Sequence, residues 1–146
     1  MDVREAFTLQ LSRISRGWRA RLDERLRDTG LTQARWTTLL HLARGAEGMT
    51  QRELARRLGV EGATIGRLLD GLEKQALIER RDVSGDRRAY HIHLTAAAQP
   101  VLKEINSIAA SLRRELLAGI SADDLTTCTA VLRDIGERLE KHPEDR

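Results

Sequence analysis

Arginine is the residue type with the clearest chemical potential in this sequence. Of its 25 basic residues, 22 are arginine, although the net charge is only +3. A guanidinium group presents a planar fork of donors that matches a phosphate group or the edge of a guanine base. A GC-rich coding sequence accounts equally well for the excess. Composition therefore indicates nucleic acid as one candidate partner. Whether the arginines bind it depends on their positions in the sequence.

One informative segment covers residues 61–74. Gly62, Ala63 and Thr64 are small, and Arg67 follows one helical turn later. Small residues allow a helix to approach a groove closely, and the first turn of a helix favours phosphate through its free N–H groups and its dipole. Thr64, Arg67, Gly71 and Lys74 share the face opposite the apolar residues of this segment. We interpret that face as a surface that reads DNA.

A second informative segment is the turn that begins at Val83-Ser84-Gly85-Asp86 and continues into Arg87 and Arg88. Asp86 and Arg88 are two residues apart, so the carboxylate can hold the arginine in an extended pose. An arginine held in this way suits the narrow minor groove, where the negative potential is enhanced. A polar turn of this composition is by itself more often a solvated loop.

Apolar stripes of helical spacing predict long helices at both ends of the chain. Gly30 ends the first helix, Thr32 caps the next, Thr95 caps a long helix, and Ser121 starts the last. The terminal stripes exceed what a winged domain of about 60 residues can cover, which predicts pairing with a second copy. The stripes are Phe7, Leu11, Ile14, Trp18, Leu22 and Leu26; Val101, Ile105, Ile108, Leu112 and Leu116; and Leu125, Leu132, Ile135 and Leu139.

The middle of the chain has the order of a winged helix-turn-helix. Thr50-Gln51-Arg52-Glu53 is a capping box that opens a short helix, and Gly59 ends it. A second helix follows, and the period then changes from 3.6 to 2 after Leu77, which predicts a hairpin. The predicted fold is mainly α with a small β-hairpin wing. Residues 31–95 form the DNA-binding domain, and residues 1–30 and 96–146 form a helical dimerisation region.

The sequence resembles the MarR family of regulators, and within it the SlyA branch, over nearly the whole chain. The matching residues include Trp18-Arg19-Ala20, Leu31-Thr32-Gln33, Leu58-Gly59-Val60-Glu61, Asp86-Arg87-Arg88-Ala89, Leu94-Thr95 and Gly119-Ile120-Ser121-Ala122. The resemblance implies that Arg88 enters the minor groove with Asp86 orienting it, and that Arg67 contacts DNA from the recognition helix. The sequence departs from its relatives at Gly62-Ala63, so the operator sequence does not carry over.

Together these features predict a homodimeric, sequence-specific regulator bound to double-stranded DNA at a pseudo-palindromic operator. It acts as a repressor, or as an activator that displaces a silencer. The expected DNA contacts are Thr50, Gln51, Gly62, Ala63, Thr64, Arg67, Arg81, Asp86, Arg87 and Arg88.

The resemblance further implies a small aromatic carboxylate or phenolic effector, bound between the dimerisation helices and the DNA-binding lobe. Such a site needs apolar walls and a cation. Trp18 and Trp36 lie on helix stripes, where tryptophan is more often a core residue. The candidates are Arg13, Trp18, Thr32, Trp36, His41 and Arg67. If Arg67 served both ligand and DNA, the two anions would compete.

Other readings stay open at this point. Cys128 could make the protein a redox sensor, although its setting between Leu125 and Leu132 favours a small apolar filler. An architectural, nucleoid-type DNA-binding protein would use similar surfaces. We expect no enzyme, no cofactor and no metal site, because no such motif is present and His91 and His93 suit a solvated strand face. With no apolar run long enough for a membrane span and no signal peptide, the expected location is cytoplasmic and nucleoid-associated.

Overall fold

The computed structural model of the chain describes residues 1–82 and 89–141. Two helices precede the helix-turn-helix: α1 (Val3–Arg25) and α2 (Gln33–His41). The helix-turn-helix consists of α3 (Gln51–Leu58) and α4 (Gly62–Lys74), and an antiparallel hairpin of β1 (Ile78–Asp82) and β2 (Tyr90–Leu94) follows. The chain continues with α5 (Ala98–Leu116) and α6 (Ala122–Glu140). A mostly helical fold with one two-stranded hairpin confirms the predicted fold class.

The helix boundaries come from local capping chemistry. The Thr50 hydroxyl accepts from the Glu53 backbone N–H at 3.2 Å, and the Glu53 carboxylate accepts from the Thr50 N–H at 3.0 Å. Gly59 ends α3 with a φ of 68°, a left-handed conformation that favours glycine. The predicted caps at Thr32 and Ser121 are also present, with hydroxyls that accept from backbone N–H groups at 3.4 and 3.1 Å.

The predicted cap at Thr95 is wrong. Helix α5 begins at Ala98, and the Thr95 hydroxyl donates to the carbonyl of Ala76 at 2.6 Å. Ala76 has a φ of 58°, in the turn that joins α4 to β1. The Thr95 backbone N–H also donates to the Leu77 carbonyl at 3.1 Å. Thr95 therefore fastens the end of the hairpin to the end of α4, a tertiary role that a local sequence pattern does not reveal.

A short segment, residues 48–50, pairs with β2 beside the hairpin. The Gly48 N–H donates to the Ile92 carbonyl at 2.8 Å, and the Ile92 N–H donates to the Met49 carbonyl at 2.9 Å. Thr50 forms an isolated antiparallel bridge with His91. From the sequence, the glycines here indicated only the end of a helix. The pairing joins the start of α3 to the base of the wing.

The chain divides into two compact units, residues 1–111 and 112–146, and this division by contacts leaves the functional division at 31–95 a prediction. In the second unit Leu112 is buried, whereas α6 has no buried residue. No helix in the described part of the chain is long and apolar enough to cross a membrane. The buried apolar residues of the first unit are Leu22, Leu26, Leu31, Trp36, Leu39, Leu40, Leu42, Ala46, Leu54, Ala55, Ile65, Leu69, Leu72, Leu77, Ile78, Ile92, Ala98, Leu102, Ile105 and Ala109.

Candidate nucleic-acid interface

The recognition helix α4 has one buried face and one open face. Ile65, Leu69 and Leu72 are each fully buried, at the spacing that directs side chains to one side of a helix. The short helix α3 contributes Leu54 and Ala55 to the same core. Burial of these side chains fixes the rotation of α4 about its axis, and this rotation decides which residues remain exposed.

The open face of α4 begins at its first turn. Gly62, Ala63 and Thr64 are exposed, and no side chain caps the helix at Glu61. Arg67 is also exposed and forms no hydrogen bond or ion pair with the residues that the structure describes. Four of the predicted DNA contacts therefore lie on one accessible surface, with free backbone N–H groups and an available guanidinium group.

The face of α4 does not stay open along its whole length. The Arg35 guanidinium of α2 lies directly over Gly71, so closely that a Cβ at this position would collide with it. Arg35 also donates to the Gln75 carboxamide oxygen at 3.1 Å. The expectation that Gly71 shares the DNA-reading face is wrong, because α2 covers this position. The accessible part of α4 is its N-terminal half together with the exposed residues Asp70, Glu73 and Lys74.

Thr50 and Gln51 contribute to the site in different ways. The capping box occupies the Thr50 hydroxyl and backbone N–H, so its side chain mainly fixes the start of α3. Gln51 is half-buried, and its amide nitrogen lies 3.4 Å from where a Cβ of Gly66 would be. This distance is an ordinary van der Waals contact, so Gln51 packs against α4 at Gly66.

Arg80 is a functional candidate that the sequence did not reveal. It lies on β1, and its side chain is only 15% exposed. Its guanidinium donates to the Asp70 carboxylate at 2.8 Å and to the Gly66 carbonyl at 3.3 Å, and Glu73 lies 3.7 Å away. The buried Nε has no partner among the described residues. The signal for this role was available, because strand alternation puts Arg80 on the same face as buried Ile78.

Arg80 connects the base of the wing to the recognition helix. Its three contacts are all on α4, whereas its backbone pairs with Ile92 in the hairpin. An arginine fork held by two oxygens has a defined geometry. We interpret Arg80 as a positioning residue that fixes the angle between the wing and α4.

Of the predicted contacts in the wing, only Arg81 lies within the described residues. Arg81 is exposed, and its Nε donates to the Glu79 carboxylate at 2.7 Å. A DNA contact by Arg81 would therefore have to compete with Glu79. Asp86, Arg87 and Arg88 lie outside the described residues, so the proposed minor-groove contact stays a prediction.

The six effector candidates do not line either of two surface cavities of the described chain. One cavity, of about 450 Å³, is lined by Gln51, Arg52, Ala55, Arg56, Val60, Gly62, Ile65 and Tyr90. The other, of about 250 Å³, is lined by Arg19, Gln33, Ala34, Thr37, Thr38, Leu58, Val60 and Leu68. Both therefore involve the turn between α3 and α4.

Two of the effector candidates have structural roles. Trp36 is 4% exposed, and its indole N–H donates to the Asp23 carboxylate at 3.2 Å. Thr32 uses its hydroxyl to cap α2. Arg13 and Arg67 are exposed, and Trp18 is half-buried. The core interpretation of Trp36 agrees with its burial.

His41 lies among positive charges at the end of α2. Burial lowers the pKa of its imidazole, and the nearby charges of Arg57, Arg44 and Arg19 lower it further. Arg57 lies on α3, Arg44 on the π-helical turn Leu42–Ala46 that follows α2, and Arg19 on α1. A group of like charges of this kind favours an anion, since an anion would relieve their repulsion.

The remaining histidines and the cysteine differ from expectation. His91 and His93 are half-buried and not fully solvated, and the Nδ1 of His93 lies 3.9 Å from the Glu47 carboxylate. Within the described residues no group of three or more metal-ligating side chains is present. Cys128 is exposed on α6, so the expectation of an interior filler is wrong for the single chain.

The chain is similar to several known regulators. A sequence model of the MarR family matches residues 29–89. The solved structure of the transcriptional regulator PA3341 is 51% identical, with a TM-score of 0.83 over 93% of this chain and 99% of that one.

Two more distant structures have bound partners. The complex of Staphylococcus aureus MepR with DNA is 25% identical, with a TM-score of 0.77, and the match covers 92% of this chain and 98% of that one. CouR from Rhodococcus jostii RHA1, bound to p-coumaroyl-CoA, is 22% identical, with a TM-score of 0.74 over 88% and 90% of the two chains. At that identity the CouR match shows the fold alone. Taken with the open recognition helix, these similarities establish that the chain belongs to the MarR family of DNA-binding transcriptional regulators.

Proposed function

We propose that the protein acts as a homodimer that binds a pseudo-palindromic DNA operator with sequence specificity and so regulates transcription. The observation that carries this proposal is the N-terminal half of α4, where Gly62, Ala63, Thr64 and Arg67 are exposed together above a fully buried face. A helix of about 10–12 Å diameter fits the major groove, which is about 12 Å wide. The exposed residues would lie where base edges are accessible.

The dimer is supported by apolar surface that the single chain leaves bare. On α1, Phe7 and Leu11 are each 41% exposed and Ile14 is 55% exposed. Helix α6 carries exposed Val131 and Leu132 and has no buried residue. Large apolar patches of this kind mark interfaces. Two-fold pairing would place the two recognition helices about 34 Å apart, one turn of DNA, which is why a pseudo-palindrome is expected.

The test is selection of bound duplexes from a random-sequence pool, combined with measurement of mass by sedimentation. We expect an enriched sequence with two inverted half-sites centred about 10 base pairs apart, bound by two chains. The control is the affinity for an unrelated duplex at the same salt concentration. A ratio of affinities near one would overturn sequence-specific regulation in favour of an architectural role.

Within this proposal, Arg88 enters the minor groove with Asp86 orienting it, and Arg67 reads the major groove. The assignment to a SlyA-like branch rests on the matching segments that include Asp86-Arg87-Arg88-Ala89. The proposal includes both a repressor and an activator that displaces a nucleoid silencer, because both would use the same DNA-binding surface. Transcription in vitro on a template with and without a bound silencer separates the two, because a repressor lowers output on both templates.

A small aromatic anion as effector is the second part of the proposal. It is supported by the cluster of positive charge around His41, whose imidazole pKa is lowered first by burial and then by the charges of Arg57, Arg44 and Arg19. The candidate contacts are Arg13, Trp18, Thr32, Trp36, His41 and Arg67. Titration of salicylate into the complex of protein and selected operator is the test. No release at millimolar concentration would overturn this part alone.

A further inference from the structure

The cavity of about 450 Å³ beside the recognition helix has two predicted DNA contacts, Gln51 and Gly62, in its lining, but the cavity itself has no role assigned so far. Its walls come from three elements: α3, the first turns of α4, and the start of β2. Ala55, Val60 and Ile65 give it an apolar floor, and Arg52 and Arg56 stand on its α3 side. We propose that this cavity is a phosphate-binding cleft in which Arg52 and Arg56 hold the backbone of the DNA strand that passes between α4 and the wing. The inference rests on the proposed function and extends it.

The two arginines are placed to act together. They are four residues apart on α3, so they lie on the same face about 6 Å apart along the helix axis. Both are exposed, and neither forms a hydrogen bond or ion pair with the described residues. The nearest acid in sequence, Glu53, has its carboxylate engaged by the Thr50 N–H in the capping box. Two unpaired cations on one wall of a concave site are suited to an anion.

The location of the cleft favours the DNA backbone over a base edge. Gln51 and Gly62, both predicted DNA contacts, also line it. It therefore borders the open face of α4, and its opposite edge is Tyr90 at the base of the wing. A strand that leaves the major groove at α4 to reach the wing has to cross this region. The first helix of a helix-turn-helix crosses the backbone in the same sense.

The remaining groups of the cleft are compatible with phosphate. The first turn of α4 has no side-chain cap at Glu61, so its N–H groups are available, and they carry the positive end of the helix dipole. Tyr90 is half-buried and brings a hydroxyl group that can donate to a phosphate oxygen. Glu61 is the opposing charge at the edge, because it is exposed and adjoins Gly62. The balance of two arginines against one glutamate still favours an anion.

The test compares Arg52→Gln, Arg56→Gln and the double variant with the wild type on two duplexes, the selected operator and an unrelated sequence. Neutralised phosphate contacts contribute about 0.9 each to the slope of log affinity against log salt. Because the dimer carries each arginine twice, we expect each single variant to lower that slope by about 1.8 and to weaken both duplexes about thirtyfold near 0.15 M salt. Restoring the charge with Arg52→Lys and Arg56→Lys should recover most of the slope.

Lys103→Gln is the matched control, since Lys103 is an exposed cation on α5 outside the cleft and should leave the slope unchanged. An unchanged slope in the double variant would overturn the cleft while leaving the proposed function standing. A loss confined to the operator would also overturn it, because it would mean that the arginines read bases. A wild-type protein that binds neither duplex would overturn the proposed function and this inference together.

Discussion

Helices α4 and α6 have the same amphipathic design but opposite surroundings in the single chain. Helix α4 has Ile65, Leu69 and Leu72 fully buried, and its polar face is open. Helix α6 begins with a well-formed Ser121 cap, yet none of its residues is buried. The proposed DNA-reading helix therefore has its apolar face covered within one chain, whereas the C-terminal helix has an apolar face that the single chain leaves uncovered. We therefore expect substitutions in the buried face of α4 to lower folding stability, and substitutions in the apolar face of α6 to weaken dimerisation.

The largest effect is expected from a matched pair of leucine truncations, Leu69→Ala and Leu132→Ala. Leu69 is fully buried, so its loss should lower the free energy of unfolding by about 2–5 kcal/mol at any protein concentration. Leu132 is 44% exposed in the single chain, so its truncation should weaken association of the two chains. The resulting loss of stability should therefore depend on protein concentration. Urea unfolding at two widely separated protein concentrations measures both. Equal, concentration-independent losses would contradict the comparison.

On the open face of α4, Arg67→Ala should weaken binding to the selected operator by about 1–3 kcal/mol if the guanidinium reads a base. The sequence preference should change at one position of each half-site. Arg88→Ala is the contrasting variant, because loss of one groove-bound charge from each chain of the dimer should weaken all duplexes and lower the salt slope by about two. Equal losses on every sequence for Arg67→Ala would instead make it a phosphate contact.

The link between α4 and the wing is probed by Asp70→Asn. This change weakens the pair with Arg80 but keeps the shape of the side chain, and Asp70 is 61% exposed, so the loss of stability should stay near about 1 kcal/mol or below. The free-energy preference for the operator over an unrelated duplex should fall by more than the free energy of unfolding, because the angle of the wing is no longer fixed. The salt slope should not change, since no phosphate contact is lost. Asp134→Asn, in the exposed pair with Arg138 on α6, is the control.

His41 should make stability depend weakly on pH. Its pKa is lowered in the folded protein, by burial and by three arginines, from the ordinary value of 6.5. The unfolded chain therefore binds this proton more readily, so stability is lost as the pH falls below 6.5 toward the lowered pKa. His41→Gln should flatten the unfolding free energy between about pH 8 and about pH 5. A steeper profile in the variant would contradict the cationic surroundings of His41.

The smallest effect is expected at Cys128 on α6. It is exposed in the single chain. Cys128→Ser should leave operator affinity unchanged before and after treatment with peroxide. Loss of binding in the wild type but not in the variant would instead support the redox-sensing alternative.

Local chemistry could be predicted from the sequence, and contacts between distant segments could not. The Thr50 box, the stop at Gly59 and the buried stripe of α4 depend on residues within one turn of each other, and all three are confirmed. The errors at Gly71 and Thr95 have another origin. Each of these residues contacts a segment far along the chain: the Arg35 guanidinium lies over Gly71, and the Thr95 hydroxyl donates to the Ala76 carbonyl.

Arg80 shows the limit of pattern reading most clearly. The alternation of β1 gave its face but not the acid that it meets, because Asp70 and Glu73 belong to another element. The same holds for residues 48–50, which are too few to show a period and whose backbone bonds to β2. The predicted contacts Asp86, Arg87 and Arg88 lie outside the described residues and stay predictions.

The pairing of residues 48–50 with β2 also bears on protein engineering. A glycine-rich stretch between two helices has the composition of a permissive loop, where a tag or a reporter domain would ordinarily be inserted. Here Gly45 breaks the preceding turn with a φ of 122°, and within five residues the backbone has bonded to Ile92 and started α3. An insertion there would disturb the links between α2, β2 and α3. The junction is a poor insertion site, and the link between α5 and α6 around Gly119, which is exposed, is the better choice.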